Sequence, residues 1–252
     1  MSIMQLGAQL YTLREYTQNL KDFSDTLSKV AEIGYKTVQV SGTCKYEPEW
    51  LKEQLKKTGL KCVLTHFDPV FMQRTPHETA ELHQAFDCKY IGIGSLLGGI
   101  NGYDTFVKNF MNVSQIFSEY KCYLMYHNHD SEFTKSDDGR LYLQRMADDF
   151  PAELLGFTLD TYWIQAGGAD PAVWIENLAG RVPCIHLKDM SFDNGIKMAP
   201  VYEGNMNFDS ILYACEDANV KYLLVEQDDC YGENPFDCLK RSYKNLNIKG
   251  LY

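Results

Sequence analysis

The chain has 252 residues, of which 45% are hydrophobic and 23% charged. That composition excludes a disordered chain, a collagen-like repeat and a membrane bundle, and the length suffices to bury a sizeable core. With 24 basic and 34 acidic side chains the formal charge is −10, and no basic cluster offsets it, so nucleic acid is not an expected partner.

The densest basic stretch, Lys52, Lys56, Lys57 and Lys61, reads as the solvated face of one helix. The eight cysteines form no CxxC pair. Cys62, Cys122 and Cys184 sit in apolar runs, where a free thiol packs as a small hydrophobe. The N-terminus lacks a basic stretch followed by an apolar one, and no apolar run approaches the ~20 residues of a membrane span. The expectation is a cytoplasmic protein without a membrane contact.

One pattern repeats along the chain: a short apolar run, then an amphipathic helical stretch. The first run is MQLGAQLY (4–11), followed by a helix pattern with Phe23, Leu27, Val30 and Ala31 on one face and Gly34 as its stop. KTVQVSG (36–42) precedes a second helix with Trp50, Leu51 and Leu55 inward and Gly59 as its stop. KCVLTHFD (61–68) is followed by a helix opened by Pro76. KYIGIGS (89–95) leads to a long helix over 103–120 with Phe106, Phe110, Val113 and Phe117 on one face. KCYLMYH (121–127) leads through a polar loop to a helix near 141–149. LGFTLDTYW (155–163) precedes a helix from Asp170-Pro171 through Ala179. VPCIHLKDM (182–190) is followed by a longer loop and a helix over 209–218. KYLLVEQDD (221–229) precedes the last helix, opened by Pro235. Eight alternating strand–helix units without a linker predict a single (β/α)8 TIM barrel spanning 1–252.

Such a barrel carries its chemistry at the C-terminal ends of its strands. His66, His127, Asp160, His186 and Glu226 end the third, fifth, sixth, seventh and eighth runs. One buried imidazole is ordinary core polarity. Five such groups converging on one dry pocket need a counter-charge, and a divalent cation supplies it. Mixed imidazole and carboxylate donors suit Mn²⁺ first, with Zn²⁺, Co²⁺, Fe²⁺ or Mg²⁺ as alternatives.

FTLDTYW, CIHLKD and LLVEQDD resemble the strand-six, strand-seven and strand-eight motifs of the sugar phosphate isomerase/epimerase superfamily, the xylose isomerase-like barrels. GADP (168–171) and EGNMNF (203–208) resemble its loop and helix-start motifs, and the likeness runs over nearly the whole chain. The resemblance implies one divalent metal ion held by Asp160, His186 and Glu226, and chemistry next to the carbonyl of a sugar or keto-sugar. One departure matters. Where sugar epimerases of the superfamily carry a metal-binding Glu after the fifth strand, this chain has LMYHNHDSEF (124–133), similar to a variant branch with a Tyr-His-Asn-His…Glu-Phe motif. Two arrangements stand side by side. Glu132 reaches back as fourth ligand and leaves His127 as general base, which is the assignment preferred here, or His127 itself ligates. Glu226 then serves as both ligand and catalytic carboxylate.

Substrate contacts are expected from His66, Lys188, His129 and Trp163, although strand alternation aims His129 away from His127, and Lys188 reads equally as a rim lysine. Asp189 is a candidate to orient a ligating His, Glu203 a candidate to close over the sugar, and Phe67 a candidate pocket wall. Removing a proton beside a carbonyl builds an enediolate, which a divalent ion stabilises and a His near neutrality can initiate. Returning the proton elsewhere isomerises or epimerises. Expelling a β-hydroxyl dehydrates an inosose-type substrate, and expelling a glycosyl group makes a 3-keto-glycoside lyase. Replacing one Glu of the epimerase pair with His raises the last two outcomes. A multi-metal endonuclease is disfavoured by the charge, and a non-catalytic sugar-binding barrel by the intact ligand set. The oligomeric state, a homo-oligomer included, stays open.

Overall fold

A computed structural model describes residues 4–252. The barrel strands are β1 (Gln5–Gln9), β2 (Thr37–Val40), β3 (Lys61–His66), β4 (Tyr90–Ile93), β5 (Tyr123–His127), β6 (Leu155–Asp160), β7 (Cys184–Leu187) and β10 (Tyr222–Val225). They close in the order β1-β10-β7-β6-β5-β4-β3-β2, and each neighbouring pair is parallel. The helices are α1 (Leu20–Ile33), α2 (Pro48–Thr58), α3 (Pro69–Arg74), α4 (Pro76–Ala85), α5 (Tyr103–Glu119), α6 (Tyr142–Asp149), α7 (Thr161–Ala166), α8 (Pro171–Asn177), α9 (Phe208–Asp217) and α10 (Pro235–Ile248). None of the described helices is long and apolar enough to cross a membrane. The three residues that begin the N-terminal leader reading lie outside the described residues.

The local causes are simple. β2, β6 and β7 are buried along their whole length, as parallel strands covered by helices on one side and packed lumen on the other must be. Helix starts are capped by Asn19, Asp170, Asn207 and Asn234, whose side chains accept from backbone N–H groups of the first turn. α2 stops at Gly59, whose φ of +70° suits glycine.

The lumen is plugged by Val63, Leu64, Tyr90, Met125, Cys184 and Leu224. Side chains on a strand alternate between faces, so the residue two positions further on points into the lumen again. That rule carries Leu64 to His66, Met125 to His127, Cys184 to His186 and Leu224 to Glu226. The plug is the floor of the site, and the polar residues are the next layer towards the strand ends.

The structure differs from the sequence reading in three connections. The loop after β7 contains an antiparallel hairpin, β8 (Asp189–Phe192) with β9 (Ile196–Ala199). Its loop is the three residues Asp193-Asn194-Gly195, the last two at positive φ, a short Gly-containing connection of the kind hairpins use. Two helices rather than one follow both β3 and β6, because Asp68 and Asp160 cap extra turns at Pro69 and Thr161. α8 ends at Asn177 rather than Ala179, since Leu178 leaves helical geometry before the turn at Gly180.

His83 of α4 is buried against β3. Its Nδ1 lies 2.7 Å from the Thr79 carbonyl and so carries the hydrogen, while Nε2 lies 2.9 Å from the Thr65 hydroxyl and accepts. Burial holds its pKa down to about 4, against the opposing pull of the Thr79 bond. The unfolded chain takes up a proton below about 6.5, and the folded chain does not until about 4. This contribution to stability is therefore full above pH ~6.5 and lost progressively down to pH ~4, by roughly 3 kcal/mol. Urea unfolding at pH 7 and pH 4 measures it: His83→Gln should lose less stability over that interval than the wild type. Equal losses would remove His83 as a source.

Candidate active site

Four side chains meet at the mouth of the barrel. His127 from β5, Asp160 from β6, His186 from β7 and Glu226 just after β10 each offer a donor atom, all within 4.8 Å of one another. Asp160 and His186 are register partners on adjacent strands. All four are buried, with Asp160 and His186 fully inaccessible.

Their outer contacts fix which atoms face inward. The His127 Nδ1 lies 3.2 Å from the Gly94 carbonyl, which can only accept, so Nδ1 carries the hydrogen. The bare Nε2 then faces Asp160 Oδ2 at 3.1 Å. The His186 Nε2 donates to Gln39 Oε1 at 2.5 Å, which in the neutral ring leaves Nδ1 bare, 2.9 Å from Glu226 Oε2 and 3.6 Å from Asp160 Oδ2. The His186 Nδ1 and Glu226 Oε2 are close, yet they lack hydrogen-bond geometry; neither atom has a hydrogen-bond partner, and Glu226 Oε2 is held only by its ion pair with Lys188. Asp160 is held by its backbone N–H, which donates to Asn128 Oδ1, and by its Oδ1, which accepts the Trp163 N–H. Only Oδ2 is left to the site. Bare imidazole nitrogens turned on carboxylate oxygens repel unless a cation lies between them. Two donors on opposite sides of an ion with bonds of ~2.1 Å lie roughly 4 Å apart, so the spacing of this quartet fits a divalent ion.

Lys188 follows His186 by two residues and is only 2% exposed. Its ammonium lies 3.1 Å from Asp160 Oδ2, 2.9 Å from Glu226 Oε2 and 2.8 Å from Asp228 Oδ2. Burial alone would raise the Asp160 and Glu226 carboxyls, but Lys188 and the neighbouring imidazoles hold both well below the usual carboxylate range. Burial opposes charge on Lys188 too, and the three carboxylates outweigh it. Burial and Glu226 push Asp228 up to about 7. Burial and His186 bring His127 down to about 4, although Asp160 pulls the other way. His186 goes up despite its burial, because Glu226 and Asp160 face its Nδ1.

A cavity of about 480 Å³ opens above the quartet. His66, His129, Trp163, Lys188, Gln9 and Asp228 are among the residues that line it. His66 sits 5.2 Å from His127 and 5.6 Å from His186, centroid to centroid. Its Nδ1 meets the Ser41 hydroxyl at 3.2 Å, and its Nε2 is buried without a partner. Burial and the two neighbouring imidazoles depress its pKa strongly. Trp163 Nε1 and Gln9 Nε2 are buried donors without partners as well.

Several expectations are corrected by this geometry. Glu132 does not join the quartet. Its carboxylate accepts from the Tyr126 hydroxyl (2.8 Å), the His129 N–H (2.7 Å) and the Ser131 hydroxyl (3.1 Å), so it braces the loop behind the site. His127 is not a free imidazole, being turned on Asp160. His129 faces the cavity, with its ring 4.7 Å from that of His127, because β5 ends at His127 and alternation no longer applies. Lys188 is no rim lysine. Asp189 touches no imidazole and instead accepts from the Met190, Gly204 and Met206 N–H groups. Glu203 pairs with Arg241 at 3.1 Å on the surface. Phe67 packs on Phe71 and His83 rather than facing the cavity. Gln9, Gln39, Asn128 and Asp228 were missed. Gln9 and Gln39 are polar residues in the apolar runs GAQLY and TVQVSG, the same signal that marks His66 and His186.

A family model described as xylose isomerase-like TIM barrel matches residues 27–240. An inosose dehydratase from Geobacillus kaustophilus (strain HTA426) is 22% identical over 204 residues, 71% of this chain and 64% of that protein, so the match spans less than two thirds of the curated relative's length. Among solved structures, a sugar phosphate isomerase/epimerase from Parabacteroides distasonis ATCC 8503 superposes with a TM-score of 0.80 at 20% identity, covering 98% of this chain and 94% of that one. A probable 3-DHS dehydratase from Bacillus anthracis superposes with a TM-score of 0.72 at 20% identity, covering 97% and 99%. At such identities the structural likeness establishes the fold, while the family model covers most of the chain, site included. The chain belongs to the xylose isomerase-like TIM barrel family.

Proposed function

We propose that this protein is a divalent-metal-dependent enzyme of the sugar isomerase/epimerase type, which removes a proton next to the carbonyl of a sugar or keto-sugar. The observation that carries the reading is the pair of bare imidazole nitrogens, His127 Nε2 and His186 Nδ1, turned on the free oxygens of Asp160 and Glu226. In this reading those four residues hold the ion, and Glu132 only braces the loop. The nitrogen and oxygen donor set suits Mn²⁺, with Zn²⁺, Co²⁺, Fe²⁺ or Mg²⁺ as alternatives. A bound divalent ion polarises a substrate carbonyl and stabilises the charge that grows as the neighbouring C–H bond breaks.

The chain's own groups supply the rest. His66 and His129 are the cavity imidazoles outside the quartet, and His66 has Ser41 on one nitrogen and the other buried without a hydrogen-bond partner. Held neutral by burial, it can accept a proton at Nε2. Gln9, Trp163 and Lys188 offer donors to substrate oxygens. The match to a family of sugar-processing barrels and the structural likeness to an isomerase/epimerase support a small carbohydrate as substrate.

A second reading, dehydration of an inosose-type substrate or β-elimination of a keto-glycoside, is favoured by one observation. The quartet holds two carboxylates, but the fifth-strand position carries His127 rather than a second Glu opposite Glu226, so a symmetric pair of carboxylate bases for two-face epimerisation is missing. The relatedness to an inosose dehydratase agrees with it.

Plasma mass spectrometry on untagged protein should find about one Mn, Zn, Co or Fe per chain. Asp160→Asn and Glu226→Gln should lose it without unfolding, and full retention by both would remove the assignment. The loaded protein is then offered keto-sugars and inososes in D₂O. Deuterium beside the carbonyl with an otherwise unchanged mass marks isomerase or epimerase chemistry. Loss of water marks the dehydratase, and release of a glycosyl group the lyase. Silence across the panel leaves a sugar-binding barrel. His66→Gln should lower kcat by about 10²–10⁴ while keeping the metal. A drop of less than about tenfold would move the base elsewhere.

A further inference from the structure

We propose that Lys188 is a resident cation of the site, displaced towards Asp228 when the divalent ion enters. The inference rests on the metal reading above and adds a device that tunes it. The ammonium touches Asp160 Oδ2 and Glu226 Oε2, the two carboxylate oxygens that face the bare nitrogen of His186. Asp160 cannot serve the two cations with separate oxygens, because its Oδ1 is taken by the Trp163 N–H. An ion and an ammonium on one pair of oxygens in a buried site would be like charges a few ångströms apart, which a low dielectric makes costly.

The third partner shows where the lysine goes. Asp228 Oδ2 lies 2.8 Å from Nζ, outside the quartet, on a side chain that is 23% exposed and lines the cavity. The Trp163 ring, 5.7 Å from Nζ, faces the ammonium from another cavity wall. By keeping its bond to Asp228 and giving up the other two, Lys188 stays paired and moves its charge towards the substrate space. Metal loading then does two things at once: it fills the quartet and hands a cation to substrate oxygens. In the metal-free chain the same lysine neutralises two buried carboxylates, so the fold does not depend on the ion.

Exchange of this kind predicts opposite effects from two substitutions. Lys188→Met keeps the length of the side chain and removes the competing charge. It should bind Mn²⁺ more tightly by on the order of tenfold or more, and its metal-free form should melt lower, so its melting temperature rises more on loading. Asp228→Asn removes the refuge, leaves the ammonium on the ligand oxygens, and should bind Mn²⁺ more weakly, with a smaller rise. The experiment strips the full-length wild type and both variants with chelator, titrates them with Mn²⁺ by calorimetry, and melts each with and without the ion. Lys188→Met binding no more tightly than wild type, or both variants shifting in the same direction, overturns the inference while leaving the metal site intact. A wild type that takes up neither Mn²⁺ nor, in the same titration, Zn²⁺, Co²⁺, Fe²⁺ or Mg²⁺ overturns the metal reading and this inference together. Should metal-free Lys188→Met fail to fold, Asp228→Asn carries the test by itself, and unchanged or tighter binding there overturns it.

Discussion

Two carboxylates buried side by side cannot both keep their charge without a cation, and the mouth of this barrel is built around that constraint. Asp160 and Glu226 are almost wholly removed from water. Each accepts attraction from Lys188 and faces imidazole nitrogens that, in the neutral rings, have no proton to give. Burial makes each charge expensive and also makes each compensating contact strong. The result is a site that needs a positive charge beside its carboxylates, which Lys188 supplies.

The surrounding protein spends its polar groups on orientation. Gln39 and the Gly94 carbonyl choose the tautomers of His186 and His127 from behind. Asn128 and the Trp163 N–H leave Asp160 one free oxygen. Glu132 ties the β5 loop through three donors, and Asp189 does the same for the loop after the hairpin. Gly204 shows how tight that second loop is, since a Cβ there would lie 2.4 Å from Asp189 Oδ1. Glu132, which reads in sequence as a ligand, and Asp189, which reads as the partner of a ligating His, thus both brace loops instead.

The barrel was legible because its signals are local. Alternation of apolar runs with capped amphipathic stretches, Gly34 and Gly59 as stops, and Pro76, Pro171 and Pro235 as starts all act within a few residues. The hairpin after β7 was also written locally, in Asn194-Gly195, but short strands flanking a turn resemble any polar loop. The strand-end rule brought out His66, His127, Asp160, His186 and Glu226 because a charge ending an apolar run stands out. Gln9 and Gln39 lie within such runs, yet an uncharged amide attracts less notice than an imidazole.

What the sequence by itself determined was the order of the units and the layer at which polar side chains enter the lumen, since both follow from the period-two geometry of strands and the stop signals of helices. What only the tertiary structure decided was the pairing within that layer. Glu132 and His127 lie five residues apart, and nothing in their spacing says which turns inward. Tyr126, His129 and Ser131 claim the Glu132 carboxylate, while register places His127 beside β6. Lys188 likewise reads as a rim residue until barrel closure brings β10 and its Glu226 and Asp228 against β7. Such contacts join residues some forty positions apart, and electrostatic energy depends on distance in space rather than on separation along the chain.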